Sequence, residues 1–439
     1  MRFPEAPVPP EEVFERLREF EVQSRFDEFD RNLFDEGPHL TSSSFLPFGD
    51  DVRHQVVEAY TRFIHGETWH TGAGAREMER QVISMMGGVL GNEDAVGFIT
   101  SGGSESNLCA LLAAKAGAGR AGRTASVVLP KHAHYSFFKG CRMFDLEPVV
   151  VEHVAGSPYR VDPDRVRDAV RDDTIAIIAT AGTWPFGTID PIEDFGAIAA
   201  ERDLYLHVDG CFGGFILPFL ERGGYPIDIP MWDFRVPAVS SVSADLHKNG
   251  MVPPPASSLY FRDESLLAHA KAIAPPFGTL AGTRGTGPIA ASWTMLHLLG
   301  IERYVAIARR SMDLKRAIVD GVEGIDGLAV VPDGKINIFV VYSERFDLAP
   351  VVDALNEKGW MFVTNPVPEP VAICLCTMPQ NETSAEPFLA DLAEAMPAAT
   401  PREGAPGGVA VRYGEASVAG AAYENVEGSA AVNTGEVGA

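Results

Sequence analysis

The chain has 439 residues, 46% hydrophobic and 22% charged, enough for about three ordinary domains or one large α/β domain with a smaller companion; this balance excludes a wholly disordered or collagen-like chain. Asp and Glu number 60 against 36 Lys and Arg, and the formal charge of −24 repels polyphosphate backbones and anionic bilayers, so neither nucleic acid nor membrane is an expected partner. Five cysteines over this length make no disulfide framework, and the pair Cys374 and Cys376 alone completes no metal site, which points to the cytoplasm and to no metal.

The opening string MRFPEAPVPPEEVFERLREFE lacks a basic region followed by an apolar run, and no stretch approaches the roughly 18 apolar residues of a spanning helix, so neither export nor membrane insertion is expected. Between Glu11 and Phe34, the residues Val13, Phe14, Leu17, Phe20, Val22 and Phe26 recur at helical spacing among charges. This predicts an amphipathic arm, 1–59, that covers the body or a neighbouring subunit.

From about 76 to 262, short apolar runs alternate with helical patterns: AVGFIT (95–100), SVVLP (126–130), PVVVE (148–152), TIAIIATAG (174–182), LYLHVD (204–209) and SSLYF (257–261). That rhythm predicts an α/β large domain, 60–299, with a mainly parallel sheet covered by helices on both faces. Ligands in such sheets collect beyond the carboxyl ends of the strands. A long helix from about Ala290 to Val322 leads into a smaller C-terminal α+β domain, 300–396, with strands at INIFVVY, MFVT and VAICLCT. The stretch AATPREGAPGG then opens a linker and partly flexible tail, 397–439, in which GVAVRYG is the one plausible short strand.

Gly117, Gly119 and Gly122 match GxGxxG, yet they follow a helical pattern and precede a strand, the reverse of a dinucleotide fingerprint. A better anion site is TSGGSESN, 100–107, where a strand runs through small residues into an apolar helix. Gly102 and Gly103 let backbone amides approach a phosphate, and Ser104 adds a hydroxyl. Asp209 ends one apolar strand and Lys248 follows another, 39 residues on, so both point toward one crevice. A desolvated lysine forms a Schiff base, and a carboxylate keeps a pyridine nitrogen protonated; these are the demands of pyridoxal phosphate. His134 follows a strand and is placed to lie on a flat ring, with His132 as the competing choice. Thr183 lies beyond another strand, within reach of a ring substituent. Asp190 and Asp194 are expected to cap the next helix, and His207, on the face of Asp209, reads as a satisfied core histidine.

At these residues the chain resembles the fold-type I pyridoxal-phosphate enzymes of the group II decarboxylase and sphingosine-1-phosphate lyase family. The strings TSGGSESN, HAHYSFFKG, GTIDPIEDFGAIAAERDLYLHVDGCFGGFILPF, SADLHKNG and TLAGTRGTG carry it over about 60–300, and VRYGEAS at 411–417 looks like the family's C-terminal active-site strand. The resemblance implies Lys248 as the Schiff-base lysine, Asp209 as partner of the pyridine nitrogen and His134 as the stacked ring. It implies Gly103, Ser104, His247 and, more weakly, Ser243 at the phosphate, with Thr183 near the cofactor ring. It also implies a homodimer in which Gly282, Thr283 and Arg284 reach the partner's phosphate. Within the lyase branch a second lysine stands where this chain has Pro254, and PHG stands where this chain has Pro185-Phe186-Gly187.

The expected function is therefore a carbon-carbon lyase acting on a small-molecule amine or amino acid, an amino-acid decarboxylase first, with aldehyde-lyase cleavage of a β-hydroxy amine and transamination as alternatives. Tyr60, Trp69, His70, His132, Trp184 and Tyr413 are candidates for the substrate pocket.

Overall fold

A computed structural model describes residues 9–17, 50–68, 72–119, 125–154, 160–273, 278–360, 372–379 and 383–402. Of the N-terminal arm, 10–17 is helical, with Val13, Phe14 and Leu17 exposed. Residues 1–8 and 18–49 of that arm, the MFVT run and the GVAVRYG and VRYGEAS segments lie outside the described residues, while 50–59 open a second helix.

After α1 (Asp50–Arg62) and α2 (Ala73–Val89), the chain alternates β1 (Val96–Thr100), α3 (Gly103–Gly117), β2 (Ala125–Pro130), α4 (Tyr135–Met143) and β3 (Leu146–Val151). It continues through α5 (Pro163–Ala169), β4 (Thr174–Thr180), α6 (Ile192–Arg202), β5 (Tyr205–Asp209), α7 (Leu217–Arg222), β6 (Val239–Ala244), β7 (Ser257–Phe261) and α8 (Glu264–Ile273). The seven strands form one sheet in the order β1-β7-β6-β5-β4-β2-β3, with β7 antiparallel to both of its neighbours and the pairs from β6 to β3 parallel. Helices cover both faces. Leu108, Leu111, Phe137 and Phe138 of α3 and α4 pack with Leu267 of α8 on one side. Val82, Ile83, Phe195, Ile198 and Leu220 of α2, α6 and α7 pack on the other. Burial on both faces explains why TIAIIAT and its fellow strands read as unbroken apolar runs.

The 37-residue α9 (Gly287–Glu323) is interrupted at Gly300, whose φ of 56° and ψ of −179° lie outside helical space and in a region that favours glycine. Its first half packs on α1 and α2, and its second half enters the smaller unit. There β8 (Ala329–Val330), β9 (Ile338–Tyr342) and β11 (Ile373–Cys376) form an antiparallel sheet in the order β11-β9-β8. β10 (Phe346–Asp347) pairs with β12 (Thr400–Pro401), while α10 (Ala349–Glu357) and α11 (Ala385–Ala395) lie beside this unit's core. Trp360 and Phe388 meet edge to face at its centre, 5.2 Å between ring centroids. The fold is thus α/β, a mostly parallel seven-stranded sheet followed by a small antiparallel one.

Candidate active site

The carboxyl ends of β1, β2, β4, β5 and β6 surround a cavity of about 490 Å³. At one wall β1 turns through Ser101 and Gly102 into α3. Glu105, in the first turn of α3, accepts Ser101 N at 2.8 Å and Ser101 Oγ at 2.7 Å through Oε2, and accepts Ala281 N at 3.0 Å through Oε1. These bonds fix the turn and leave the opening N–H groups of α3 aimed past the helix end, where the helix dipole favours an anion. Gly103 and Ser104 line the cavity there. A Cβ on Gly103 would stand 2.5 Å from Cys211 Sγ and 2.8 Å from both Asp245 carboxylate oxygens, so only glycine lets the helix start so close to this wall.

Asp209 ends β5 and is 5% exposed. Its Oδ2 accepts Asn107 Nδ2 at 2.9 Å and its Oδ1 accepts Cys211 N at 3.0 Å. Lys248 sits in the turn after β6, with Nζ 2.7 Å from Asp245 Oδ2 and 4.0 Å from the centre of the Phe212 ring. Burial is the largest single influence and opposes its charge, but Asp245, Cys211 and Asp209 together outweigh it and hold the ammonium above the ordinary lysine range. The turn itself is pinned from the small unit: Asn249 donates to Phe212 O at 2.9 Å, and Asn337 of the approach to β9 donates to Asn249 Oδ1 at 3.1 Å and to Thr377 O at 2.8 Å.

His134 caps α4, its Nδ1 2.8 Å from Ser136 Oγ and accepting Ser136 N at 3.3 Å. Burial pushes this imidazole down to about 4 against the pull of Asp209, so it is neutral. His132 also lines the cavity, yet both of its nitrogens are engaged, Nε2 at 2.9 Å from Asp190 Oδ1 and Nδ1 at 3.1 Å from His153 Nε2. His247 lines the cavity beside the turn into α3, where Ala256 N donates to its Nδ1 at 3.3 Å; burial lowers its proton affinity ahead of the opposing effect of Asp245.

Gly103, Ser104, His134, Asp209, His247 and Lys248 therefore share one cavity. Other expected positions lie elsewhere. Thr183 is fully buried in its loop, its hydroxyl donating to Thr188 O at 3.1 Å, and Thr180, Gly182 and Trp184 line the cavity instead. Ser243 is fully buried beneath Asp209, where its hydroxyl donates to Asn107 Oδ1 at 2.9 Å, and it does not line the cavity. Asp190 does not cap α6: its Oδ2 accepts Thr180 N at 2.8 Å while Oδ1 holds His132, and Pro191 occupies the cap position. Gly282 and Thr283 are exposed on the loop that Glu105 ties down. Arg284 turns inward to pair with Glu79 and the carbonyl of Ile99, so within its own chain it braces that loop.

Of the substrate-pocket candidates, His132 and Trp184 line the cavity, and the Trp184 indole stacks on Phe212 at 5.3 Å and 17°. Tyr60 packs against Gly287, and Trp69, His70 and Tyr413 lie outside the described residues. Asn107, Ser136, Phe212 and Asp245 had no role assigned from sequence. Asp245 was within reach of such an assignment, since it stands three residues before Lys248 in a strand-ending turn.

Pyridoxal phosphate fits this donor set. An anion-seeking helix start stands at one wall and a buried carboxylate with a spare acceptor direction at another, with a lysine amine and a neutral imidazole on the same cavity. The pyridoxal-dependent decarboxylase conserved domain matches residues 64–338. The chain is 36% identical over 308 residues to a probable L-tyrosine/L-aspartate decarboxylase of Methanothermobacter thermautotrophicus, covering 69% of this chain and 83% of the relative. It is 33% identical over 365 residues to an L-aspartate decarboxylase of Thermococcus kodakarensis, covering 82% and 90%. Among solved structures, a sphingosine-1-phosphate lyase of Burkholderia pseudomallei superposes with a TM-score of 0.80 at 33% identity, over 91% of this chain and 93% of that one. The chain belongs to the pyridoxal-dependent decarboxylase family and is a fold-type I, pyridoxal-phosphate-dependent amino-acid carboxy-lyase.

Proposed function

We propose that the enzyme decarboxylates an L-amino acid of the tyrosine or aspartate class named for its relatives, the aromatic member first. The observation that carries this is the convergence of Lys248, Asp209, His134 and the start of α3 on one cavity, with the Trp184–Phe212 stack as an adjoining aromatic wall. Among the described lining residues, Lys248 is the only lysine or arginine, which favours a neutral aromatic side chain over a second carboxylate.

When bound, pyridoxal phosphate supplies an electron sink conjugated with the substrate's α-carbon. In this reading Lys248 carries the cofactor covalently, Gly103, Ser104 and His247 hold its phosphate, and Asp209 accepts the pyridine N–H. His134 would hold the cofactor's ring through its neutral imidazole. The cavity walls would orient the substrate, and which bond at its α-carbon breaks would follow from that orientation. Lys248 Nζ then returns a proton to the carbon that lost carbon dioxide.

The enzyme is proposed to be a cytoplasmic homodimer, the neighbour's Gly282-Thr283 loop completing each site; five cysteines without a disulfide fit that compartment. A second reading, cleavage of a phosphorylated β-hydroxy amine, draws on the likeness to the Burkholderia lyase. Against it, Pro254 is exposed and absent from the described cavity lining, so it supplies no second cation.

The test is product analysis of the reconstituted enzyme with carboxyl-labelled amino acids and with a phosphorylated amino alcohol. Labelled carbon dioxide and the matching amine are expected from tyrosine above aspartate; a long-chain aldehyde without carbon dioxide would establish the second reading.

A further inference from the structure

Beneath the cavity, one amide lies between two arms of a buried polar network. Asn107, 1% exposed on α3, places Nδ2 at 2.9 Å from Asp209 Oδ2 and 3.1 Å from Ser136 Oγ. Its Oδ1 lies 2.9 Å from Ser243 Oγ and 3.2 Å from His207 Nε2. An ionised carboxylate only accepts, so the amide must turn its nitrogen toward Asp209 and its oxygen toward Ser243 and His207.

The rest of the network follows from that orientation. An amide oxygen also only accepts, so His207 carries its proton on Nε2 and Ser243 donates. His207 is fully buried and burial pushes it down to about 4, so it is neutral and its Nδ1 is an acceptor. Ser241 Oγ, 2.8 Å away, donates to it and in turn receives the Tyr205 hydroxyl at 2.7 Å. On the other arm Ser136 Oγ receives Asn107, while the Ser136 N–H and O–H converge on His134 Nδ1. The His134 proton is thereby left on Nε2. From Tyr205 at the start of β5 to Asp209 at its end, each hydrogen bond runs the same way.

We propose that Asn107 is the positioning residue that fixes this direction, holding Asp209 as a pure acceptor for a pyridine N–H and His134 as the Nε2–H tautomer. A proton placed on Asp209 Oδ2 would face the Asn107 N–H, and relieving that clash would flip the amide against Ser243 and His207. Other titratable groups acting on Asp209 or its neighbours are His134, His207, Cys211, Asp245 and Lys248. Of these, His207 hydrogen-bonds Asn107 directly and is therefore varied alongside it. This inference rests on the cofactor assignment above.

The experiment is a pH titration of the visible absorbance of the bound cofactor in the wild type, Asn107→Leu, His207→Leu and His207→Gln, with cofactor content and thermal midpoint measured on each. Asn107→Leu is expected to move the midpoint of the absorbance change by roughly one pH unit. It is also expected to lower kcat by about tenfold or more with KM within about twofold. His207→Leu should move the midpoint in the same direction, while His207→Gln, which keeps an N–H toward Asn107 Oδ1, should restore it. If Asn107→Leu fails to fold, the two His207 variants decide. Folded, cofactor-loaded leucine variants that titrate like the wild type would overturn the proposal. A wild-type chain that takes up no pyridoxal phosphate would instead overturn the cofactor assignment and this inference together.

Discussion

Lys248 Nζ stands 2.7 Å from Asp245 Oδ2, and that carboxylate is fully buried. His247 Nε2 lies 3.6 Å from the same oxygen. The pair keeps a charge in the cavity wall that burial alone would extinguish. Uptake of an aldehyde needs the free amine, so its rate rises with pH toward the lysine's own titration. Removing Asp245's charge moves that rise to lower pH. Asp245→Asn is expected to shift the midpoint of cofactor uptake, followed by visible absorbance, downward by about two pH units. An unchanged midpoint would show that Asp245 does not govern the amine.

The start of α3 has no room for a side chain at Gly103, where a Cβ would meet Cys211 Sγ and the Asp245 carboxylate. Gly103→Ala should therefore displace the α3 turn from Asp245 while leaving the core intact. Equilibrium titration is expected to show pyridoxal-phosphate affinity weakened by about tenfold or more, with the thermal midpoint of the cofactor-free protein changed little.

Lys315, 8% exposed on α9, donates to the carbonyls of Gly334 at 2.9 Å and Ile336 at 2.7 Å. Burial, with Lys335 adding, lowers it from 10.5 to about 7. Between these two values the unfolded chain binds a proton that the folded chain does not. Stability therefore rises with pH across that window, by up to about 1.4 kcal/mol per pH unit from this group, and falls toward pH 7. Urea midpoints measured from pH 7 to 10 should show this rise, and Lys315→Met should flatten it.

The turn that carries Lys248 is held by the amide pair of Asn249 and Asn337. Asn337 is fully buried, so Asn337→Leu leaves Asn249 Oδ1 and Thr377 O without their donor. Denaturant unfolding is expected to show a loss of about 2–3 kcal/mol.

Strands buried on both faces announce themselves as apolar runs, and of the residues taken from beyond their carboxyl ends Gly103, Ser104, His134 and Asp209 line one cavity while Thr183 does not. β6 is read from sequence only as a strand ahead of Lys248, without bounds, because VSSVSA alternates apolar and polar residues like a half-exposed segment. Ser241 and Ser243 are buried and spend their hydroxyls on His207, Tyr205 and Asn107 across the sheet, while the half-buried Ser240 accepts Leu206 N. The same long-range pairing hid Asn107, whose partners are 29, 100, 102 and 136 residues away. Asp190 sat where a helix cap is expected, but its carboxylate is claimed by Thr180 and His132. Arg284, placed at a neighbour's phosphate by the resemblance, pairs within its own chain with Glu79, 205 residues distant, a contact that local sequence does not signal.

Covalent attachment of the cofactor at Lys248 underlies every role proposed for the cavity. Borohydride reduction of the loaded enzyme, followed by proteolysis and mass spectrometry, tests it directly. The expected result is a single pyridoxyl-bearing peptide modified at Lys248. A pyridoxyl group on another lysine, or none after full loading, would contradict the account.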